Sequence, residues 1–223
     1  MPRPAFVPPM LATLVGAPFD DPDWLFEVKW DGFRVEAVVD VDKAALWTRG
    51  GKDAGQSYFG TFLDPPTWIS AKQAIVDGEV IALDDRGEPD FALLQARIKG
   101  RGGPAAAPTP FVYEVFDLLH LDGRSLLEEP LEERRRLLAA VLKPDPRVRL
   151  SEHIEGDGLT FFDLVALFIH DQDTYFDLAP GGCEGVGDRL IPTPARSSFS
   201  CPSLVFSAIS ARTPITCRFS ASS

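Results

Sequence analysis

Apolar and polar side chains alternate along residues Phe33–Val41, where every second position is apolar. The segment Leu25–Trp30 keeps the same period of two, and an Asp31-Gly32 turn separates the two runs. Because the side chains of a strand point alternately to opposite faces, this pattern predicts two half-buried strands joined by a tight turn. Further strands are predicted at Ala44–Thr48, at Ala74–Leu83 with an interruption at Asp77-Gly78, and at Phe111–Leu119.

Two segments, Phe91–Lys99 and Leu131–Leu142, show the spacing of amphipathic helices. The second carries three consecutive arginines at residues 134–136, which we expect to lie in solvent. Strands outnumber helices, and the connections between strands are short. The sequence therefore predicts an α+β protein with mainly antiparallel sheets.

Composition narrows the classes of protein that the chain can belong to. The chain has 223 residues, of which 45% are apolar, which is enough for one sizeable core and excludes a mainly disordered chain. The net charge of −11 argues against a free-standing, non-specific nucleic-acid binder, but it permits an enzyme with a local basic cleft. The apolar run Phe161–Ile169 is too short for a membrane helix and contains Asp163. We expect a cytoplasmic protein without a membrane partner.

The composition of the chain changes near Thr160. All six lysines precede this residue, whereas all three cysteines and nine of the thirteen serines follow it. The cysteines form no C-x-x-C pair, so no metal site is predicted there. No helical or strand periodicity is visible from Pro192 onward. We predict that residues 163–223 form an aberrant, poorly ordered tail, such as an out-of-frame extension.

Four motifs follow one another in the part of the chain before this change. The first, Lys29–Arg34, has the form K-x-D-G-x-R. The others are T-R-G-G-K-D at Thr48–Asp53, V-D-G-E-V-I at Val76–Ile81, and the apolar run Phe111–Leu119, which contains Phe116-Asp117. A lysine is protonated at neutral pH and becomes a nucleophile only where nearby cations and partial burial lower its pKa. The arginines of the first two motifs are planar donors suited to phosphate oxygens.

In this order, the motifs resemble the nucleotidyltransferase (adenylation) domain of ATP-dependent DNA ligases, and most closely the ligase module of bacterial end-joining ligases. The resemblance covers about residues 8–162. It implies an adenylation-domain fold of two mainly antiparallel sheets with flanking helices. It also implies ATP as AMP donor, Mg²⁺ or Mn²⁺ as cofactor, nicked double-stranded DNA as substrate, and other end-joining repair proteins as partners.

The resemblance assigns a role to eight residues. Lys29 would attack the α-phosphate of ATP and form a lysyl-adenylate. Nucleotide-binding roles fall to Glu27 at the adenine edge, Arg34 and Arg49 at phosphate or ribose, Glu79 at the ribose or a metal, and Phe116 stacked on adenine; Asp31 and Gly32 would support the loop. Taken alone, the same residues allow plainer roles, such as surface ion pairs for the charged side chains and a core position for Phe116.

Two family elements do not follow the first four. The resemblance would place a glutamate that binds the metal and one or two late lysines beyond residue 162, and no lysine follows Lys143. We therefore expect residues 1–162 to be an incomplete adenylation domain without the oligonucleotide-binding domain. The metal ligands stay unassigned, and the rate should fall by orders of magnitude. The alternatives are an inactive nucleotide-binding remnant and an RNA ligase or capping-type nucleotidyltransferase.

Overall fold

The structure, a computed structural model, describes residues 5–10, 17–99, 110–170 and 205–210. The strands are β1 (Asp21–Lys29), β2 (Phe33–Asp40), β3 (Lys43–Thr48), β4 (Gln73–Ala82), β5 (Phe111–Leu121), β6 (Arg124–Ser125), β7 (Val148–Leu150), β8 (His153–Gly156) and β9 (Val205–Ser210). The α-helices are α1 (Phe91–Ile98), α2 (Leu131–Val141) and α3 (Gly158–His170), and a short π-helical turn spans Gly55–Phe59. None of the helices in these ranges is long and apolar enough to cross a membrane.

The chain divides into two compact units. Among the described residues, the first unit contains 5–10, 30–99 and 110–152, and the second contains 17–29, 153–170 and 205–210. Each unit is built on its own sheet. The expected α+β class with two mainly antiparallel sheets is confirmed; the exception is β7, which pairs with β5 in parallel.

The sheet of the first unit has the strand order β3-β2-β4-β5-β6, and β7 pairs with β5 outside this path. One face of the sheet carries the main core, formed by alternate residues such as Val35 on β2, Val76 on β4 and Tyr113 on β5. Trp68 is fully buried against this face, and its ring meets that of Tyr113 edge to face at 6.3 Å. The period of two in the sequence thus identified the face of β2 that carries the main core. The expectation of a half-buried strand is wrong, because Glu36 and Val38 on the opposite face are buried as well.

The opposite face of this sheet has two small apolar clusters separated by charged residues. Val38, Ile75 and Leu119 form one cluster, and Ile81 and Val112 belong to the other, with Leu83 and Trp30 beside them. Between the two clusters, the strands carry Arg34, Glu36, Asp77, Glu79 and Glu114. We call these five residues the polar band.

Strand β4 runs without a break through Asp77-Gly78, where the sequence predicted an interruption. The ring of Tyr113 lies over Gly78, and a Cβ atom at Gly78 would approach Tyr113 Cε2 and the carbonyl oxygen of Glu114 to 2.6 Å. The Tyr113 hydroxyl lies 2.9 Å from the Val35 carbonyl and 2.8 Å from the Val76 carbonyl. The glycine is therefore required by packing within a strand and not by a turn.

Strand β5 contains a β-bulge at Phe116. Val115 pairs with Gly78 and Asp117 pairs with Asp77, so Phe116 has no partner on β4. The extra residue changes which side chains of β5 reach the core, from Tyr113 and Val115 before it to Leu118 after it. Bulges commonly redirect a side chain in this way.

The sheet of the second unit has the order β8-β1-β9, with β1 in the centre. Strand β9 pairs with β1 from Trp24↔Ser210 to Lys29↔Val205, although the sequence predicted no strand there. This segment is a short apolar run between serines, which is too brief for periodicity to reveal. The predicted tail at residues 163–223 otherwise lies mostly outside the described residues.

Helix α2 departs from the sequence expectation in its arginines. Arg134 and Arg135 are 2% and 4% exposed, whereas Arg136 is exposed and pairs with Glu133. Buried arginines require partners, and these come from β5 on the sheet below the helix. The expectation of three solvated arginines is therefore wrong for two of them, because the partners are distant in sequence.

Candidate active site

Lys29 is the last residue of β1 in the second unit, and its side chain is exposed. Glu27 lies two residues earlier on the same strand and is buried, with His153 and Ser207 as its neighbours on the adjacent strands. Trp30, Asp31 and Gly32 then connect β1 to β2 of the first unit. The roles expected for Lys29, Glu27 and Asp31 stay predictions.

Gly32 lies where the connecting segment meets β4 of the first unit. A Cβ atom at this position would lie 2.4 Å from the Val80 carbonyl oxygen and 2.8 Å from Glu79 Cγ. Contacts below 3.0 Å are not tolerated, so only glycine allows the segment to pass this close to the strand. The structure thus explains the glycine of the K-x-D-G-x-R motif by packing against the strand that carries Glu79.

Arg34 on β2 forms a two-pronged ion pair with Asp77 on β4. Arg34 Nε donates to Asp77 Oδ1 at 3.2 Å, and Nη2 donates to Oδ2 at 2.7 Å. The Asp77 side chain is 4% exposed, and burial raises its pKa while the Arg34 guanidinium opposes that shift. The remaining prong, Nη1, donates to the Met10 carbonyl at 3.0 Å. Arg34 is therefore fixed in orientation before any ligand binds.

Phe116 and Glu79 lie next to Arg34 on the same face. The Arg34 guanidinium carbon is 5.3 Å from the centroid of the Phe116 ring, which is within cation–π range. Glu79 is directly opposite Arg34 in the register of β2 and β4. The structure therefore brings together three of the five residues predicted to bind nucleotide, from three different strands of one sheet.

Helix α2 holds the bulge that carries Phe116. Arg135 Nη1 donates to the Phe116 carbonyl at 3.0 Å. Arg134 Nε and Nη2 donate to the two carboxylate oxygens of Asp117 at 2.7 and 3.0 Å. Arg135 thus holds the backbone of the bulge, and Arg134 holds the side chain of the residue that follows it. Sequence reasoning missed this role, and the only signal was an Arg pair on a helix that follows the Phe-Asp strand.

Two carboxyl groups of the polar band have raised pKa values. Burial raises the pKa of Glu36 to about 8, although the Val7 N–H donates to Glu36 Oε1 at 2.8 Å. Burial also raises the pKa of Glu114 to about 7, against the effect of Arg149, whose Nη1 lies 3.8 Å from Glu114 Oε1. A charged carboxylate in the polar band is therefore unfavourable unless a positively charged group binds beside it.

Arg49 lies in the exposed turn after β3. The last residue of that strand, Thr48, pairs with Val35, the neighbour of Arg34, so Arg49 follows at the end of β3 that flanks Arg34. No contact between Arg49 and the polar band is seen among the described residues. Nor do those residues contain a group of three or more His, Cys, Asp or Glu side chains that could hold a metal ion.

One face of the first unit's sheet carries an aromatic ring, a fixed guanidinium and carboxylates. Lys29 is the last residue of β1, the strand that precedes this sheet in the chain. The fold of the chain is that of the adenylation domain in solved DNA ligase structures. The family model for the ATP-dependent DNA ligase domain matches residues 9–165. The chain therefore belongs to the ATP-dependent DNA ligase domain family.

Relatives of known name agree with this assignment. The prophage-derived DNA ligase-like protein LigB of Bacillus subtilis is 31% identical over 160 residues, which are 71% of this chain and 56% of that protein. The multifunctional non-homologous end joining protein LigD of Mycolicibacterium smegmatis is 33% identical over 157 residues, which are 70% of this chain and 19% of that protein. The chain thus spans about half, or less, of the length of these relatives.

Solved structures show the same similarity. A mycobacterial DNA ligase D complexed with ATP and MES superposes with a TM-score of 0.58 at 29% identity, covering 71% of this chain and 50% of that one. The ligase domain of LigD from M. tuberculosis gives a TM-score of 0.52 at 28% identity, covering 66% of this chain and 45% of that one. The resemblance inferred from the four motifs is confirmed.

Proposed function

We propose that this chain is the adenylation domain of an ATP-dependent DNA ligase and that Lys29 is its nucleophile. The observation that carries the proposal is the convergence of Arg34, Glu79 and Phe116 on one face of the first unit's sheet, in a chain that belongs to the ligase family. Each of the three comes from a different motif of the sequence, and an aromatic ring beside a fixed cation and a carboxylate provides the groups that a nucleotide-binding site needs.

The chemistry begins with adenylation. The unprotonated Nζ of Lys29 attacks the α-phosphorus of ATP, so a P–N bond forms while the P–O bond to pyrophosphate breaks and pyrophosphate leaves with the electron pair. Phe116 stacks on the adenine, and the oxygens of the ribose and α-phosphate face Arg34, Arg49 and Glu79. Glu27 reads the adenine edge, and Asp31 and Gly32 shape the connecting loop.

Nick sealing then needs two transfers. The 5′-phosphate of the nick attacks the lysyl-adenylate, which forms a P–O–P linkage and frees Lys29. The 3′-hydroxyl attacks that phosphate next, so the phosphodiester forms and AMP leaves. The net charge of −11 restricts contact with DNA to local basic surface and favours recognition of the nick over non-specific binding.

A divalent cation, Mg²⁺ or Mn²⁺, would supply charge neutralisation at the phosphates of ATP. Mg²⁺ usually binds through substrate phosphates and water with one or two carboxylates. Two carboxylates beside the predicted nucleotide site already face arginines, Asp77 with Arg34 and Glu114 with Arg149. No set of three acidic, His or Cys ligands exists in the described ranges, so no protein ligand is assigned to the ion. Action on DNA beside end-joining proteins, and the cytoplasmic location, stay predictions.

The test is transfer of label from α-³²P-ATP to the protein in the presence of Mg²⁺. We expect acid-stable label on the wild-type chain, formed orders of magnitude more slowly than on a full-length family member, and none on Lys29→Ala, with Lys43→Ala as a matched control on an exposed lysine of β3. A full-length family member serves as positive control. No label on the wild-type chain would support an inactive nucleotide-binding remnant, label from GTP in place of ATP would indicate a capping-type enzyme, and label retained by Lys29→Ala would exclude Lys29 as the nucleophile.

A further inference from the structure

A chain of hydrogen bonds within the first unit joins Trp30 to the bulge at Phe116. The indole Nε1 of Trp30 donates to Ser151 Oγ at 3.1 Å. The carbonyl of Ser151 accepts from Arg135 Nη2, and Arg135 Nη1 donates to the Phe116 carbonyl at 3.0 Å. We call these four residues the Trp30–Phe116 network.

Ser151 is the centre of this network. Its N–H donates to the Val115 carbonyl at 2.8 Å, in addition to the two bonds through its hydroxyl and carbonyl. The residue is 1% exposed, so each of these polar atoms would be costly to leave without a partner. Carbonyls of two successive residues of β5, Val115 and Phe116, are thus held by Ser151 and Arg135. Two residues that belong to neither β4 nor β5 therefore hold the backbone of the bulge.

Trp30 connects this support to the lysine motif. It directly follows Lys29 in the chain and precedes the Asp31-Gly32 pair. Its ring packs beside Ile81, Leu83 and Val112, and only its N–H reaches a polar partner. A phenylalanine ring could make the same apolar contacts. The indole N–H is therefore the one feature at this position that only tryptophan supplies.

We propose that Trp30 is a positioning residue for adenylation, which fixes the chain next to Lys29 through the Ser151 hydroxyl. The inference rests on the proposed function, because it concerns the reaction at Lys29. It assigns a role to the residue between Lys29 and Asp31 in K-x-D-G-x-R, and one hydrogen bond performs that role. Trp30 acts through Ser151 and touches no reacting atom.

The experiment measures the rate of lysyl-adenylate formation by the full chain at saturating ATP. Trp30→Phe removes the N–H and keeps an aromatic ring, and Ser151→Ala removes the hydroxyl and keeps both backbone bonds. Because one net hydrogen bond contributes about 0.5–1.5 kcal/mol, each variant should lower the rate roughly 2- to 10-fold. The double variant should be no slower than either single one, since both delete the same bond.

Trp47→Phe is the matched control, because Trp47 is a partly buried tryptophan that packs against the other apolar cluster of this face. It should keep the wild-type rate. If the wild-type chain is labelled and Trp30→Phe and Ser151→Ala are labelled at the wild-type rate, this inference alone is overturned. A lower unfolding free energy of these variants would not rescue it, because the role of Trp30 would then be structural. Additive losses in the double variant would also overturn it. An unlabelled wild-type chain would overturn the proposed function, and this inference with it.

Discussion

The guanidinium carbon of Arg34 lies 5.3 Å from the centroid of the Phe116 ring, and Asp77 holds that guanidinium with two hydrogen bonds. The cation is thus anchored on one side and covers an aromatic ring on the other. Cation and ring come from β2 and β5, which are separated by β4. The contact exists because the bulge gives Phe116 no partner on β4 and turns it towards the polar band.

Replacing Phe116 by alanine should weaken nucleotide binding. Stacking of a base on an aromatic side chain contributes about 1–3 kcal/mol, which corresponds to roughly 5- to 150-fold in Kd for ATP. Phe116→Tyr keeps the ring and should bind with an affinity close to that of the wild type. Calorimetric titration with ATP checks both variants, and equal affinity of Phe116→Ala and wild type would remove this residue from the site.

Replacing Gly32 by alanine should destabilise the first unit, whereas replacing Gly50 should not. The Cβ of Gly32→Ala would overlap the Val80 carbonyl oxygen at 2.4 Å, while that of Gly50→Ala would have Thr48 Oγ1 at 3.9 Å as its nearest neighbour. Such overpacking typically costs about 1–3 kcal/mol of unfolding free energy. Urea denaturation of the two variants provides the measurement. Equal stability would show that the segment can move away from β4.

The arginines of α2 should differ sharply in their contribution to stability. Arg134 is 2% exposed and holds Asp117, so Arg134→Ala leaves a partly buried carboxylate without its counter-charge, at a cost of roughly 3–5 kcal/mol. Arg136 is exposed and pairs only with Glu133, so Arg136→Ala should change stability by less than about 1 kcal/mol. Thermal and urea unfolding of the pair test the difference. Similar losses would mean that Asp117 finds another partner.

The stability of the protein should depend on pH through Glu36. The pKa of this carboxyl is raised by burial from 4.5 to about 8, so the folded state holds a proton that the unfolded state releases between these values. The free energy of unfolding therefore falls as pH rises from about 4.5 to about 8, by at most about 1.4 kcal/mol per pH unit.

Glu36→Gln should remove this part of the pH dependence, because the amide oxygen can still accept from the Val7 N–H and carries no charge. Urea unfolding at pH 5, 6, 7 and 8 gives the comparison with the wild type. A smaller slope should persist below about pH 7 from Glu114, whose pKa is also raised by burial. A wild-type slope in Glu36→Gln would show that Glu36 is charged in the folded protein.

Much of the fold could be predicted because local pattern determined it. The runs at β2, β3 and β5 and the helices α1 and α2 begin at or within one residue of their predicted starts. Alternation along Phe33–Val41 identified the core face of β2. It did not reveal that Glu36 and Val38 on the other face are buried too, because that depends on what covers this face. The resemblance of four motifs to the ligase family, and not local periodicity, singled out Arg34, Glu79 and Phe116.

What the sequence did not reveal depends on pairs of residues far apart in the chain. The bulge at Phe116 is a property of the register between β4 and β5, and no feature of β5 alone marks it. The burial of Arg134 follows from Asp117, and that of Asp77 from Arg34. A charged residue considered alone is predicted to be exposed to solvent, and only a partner of opposite charge makes its burial favourable.

The bulge in β5 makes the predicted nucleotide site sensitive to the length of a strand as well as to its residues. Removing a single residue at Phe116 would let Val115 and Asp117 follow each other without an unpaired residue between them, and it would leave the second irregularity of this pair, at Leu119, unchanged. The same deletion would take away the only ring beside Arg34 that the described residues offer, although every remaining side chain would be unaltered. For homologous domains, alignment gaps at this point are therefore as informative as substitutions.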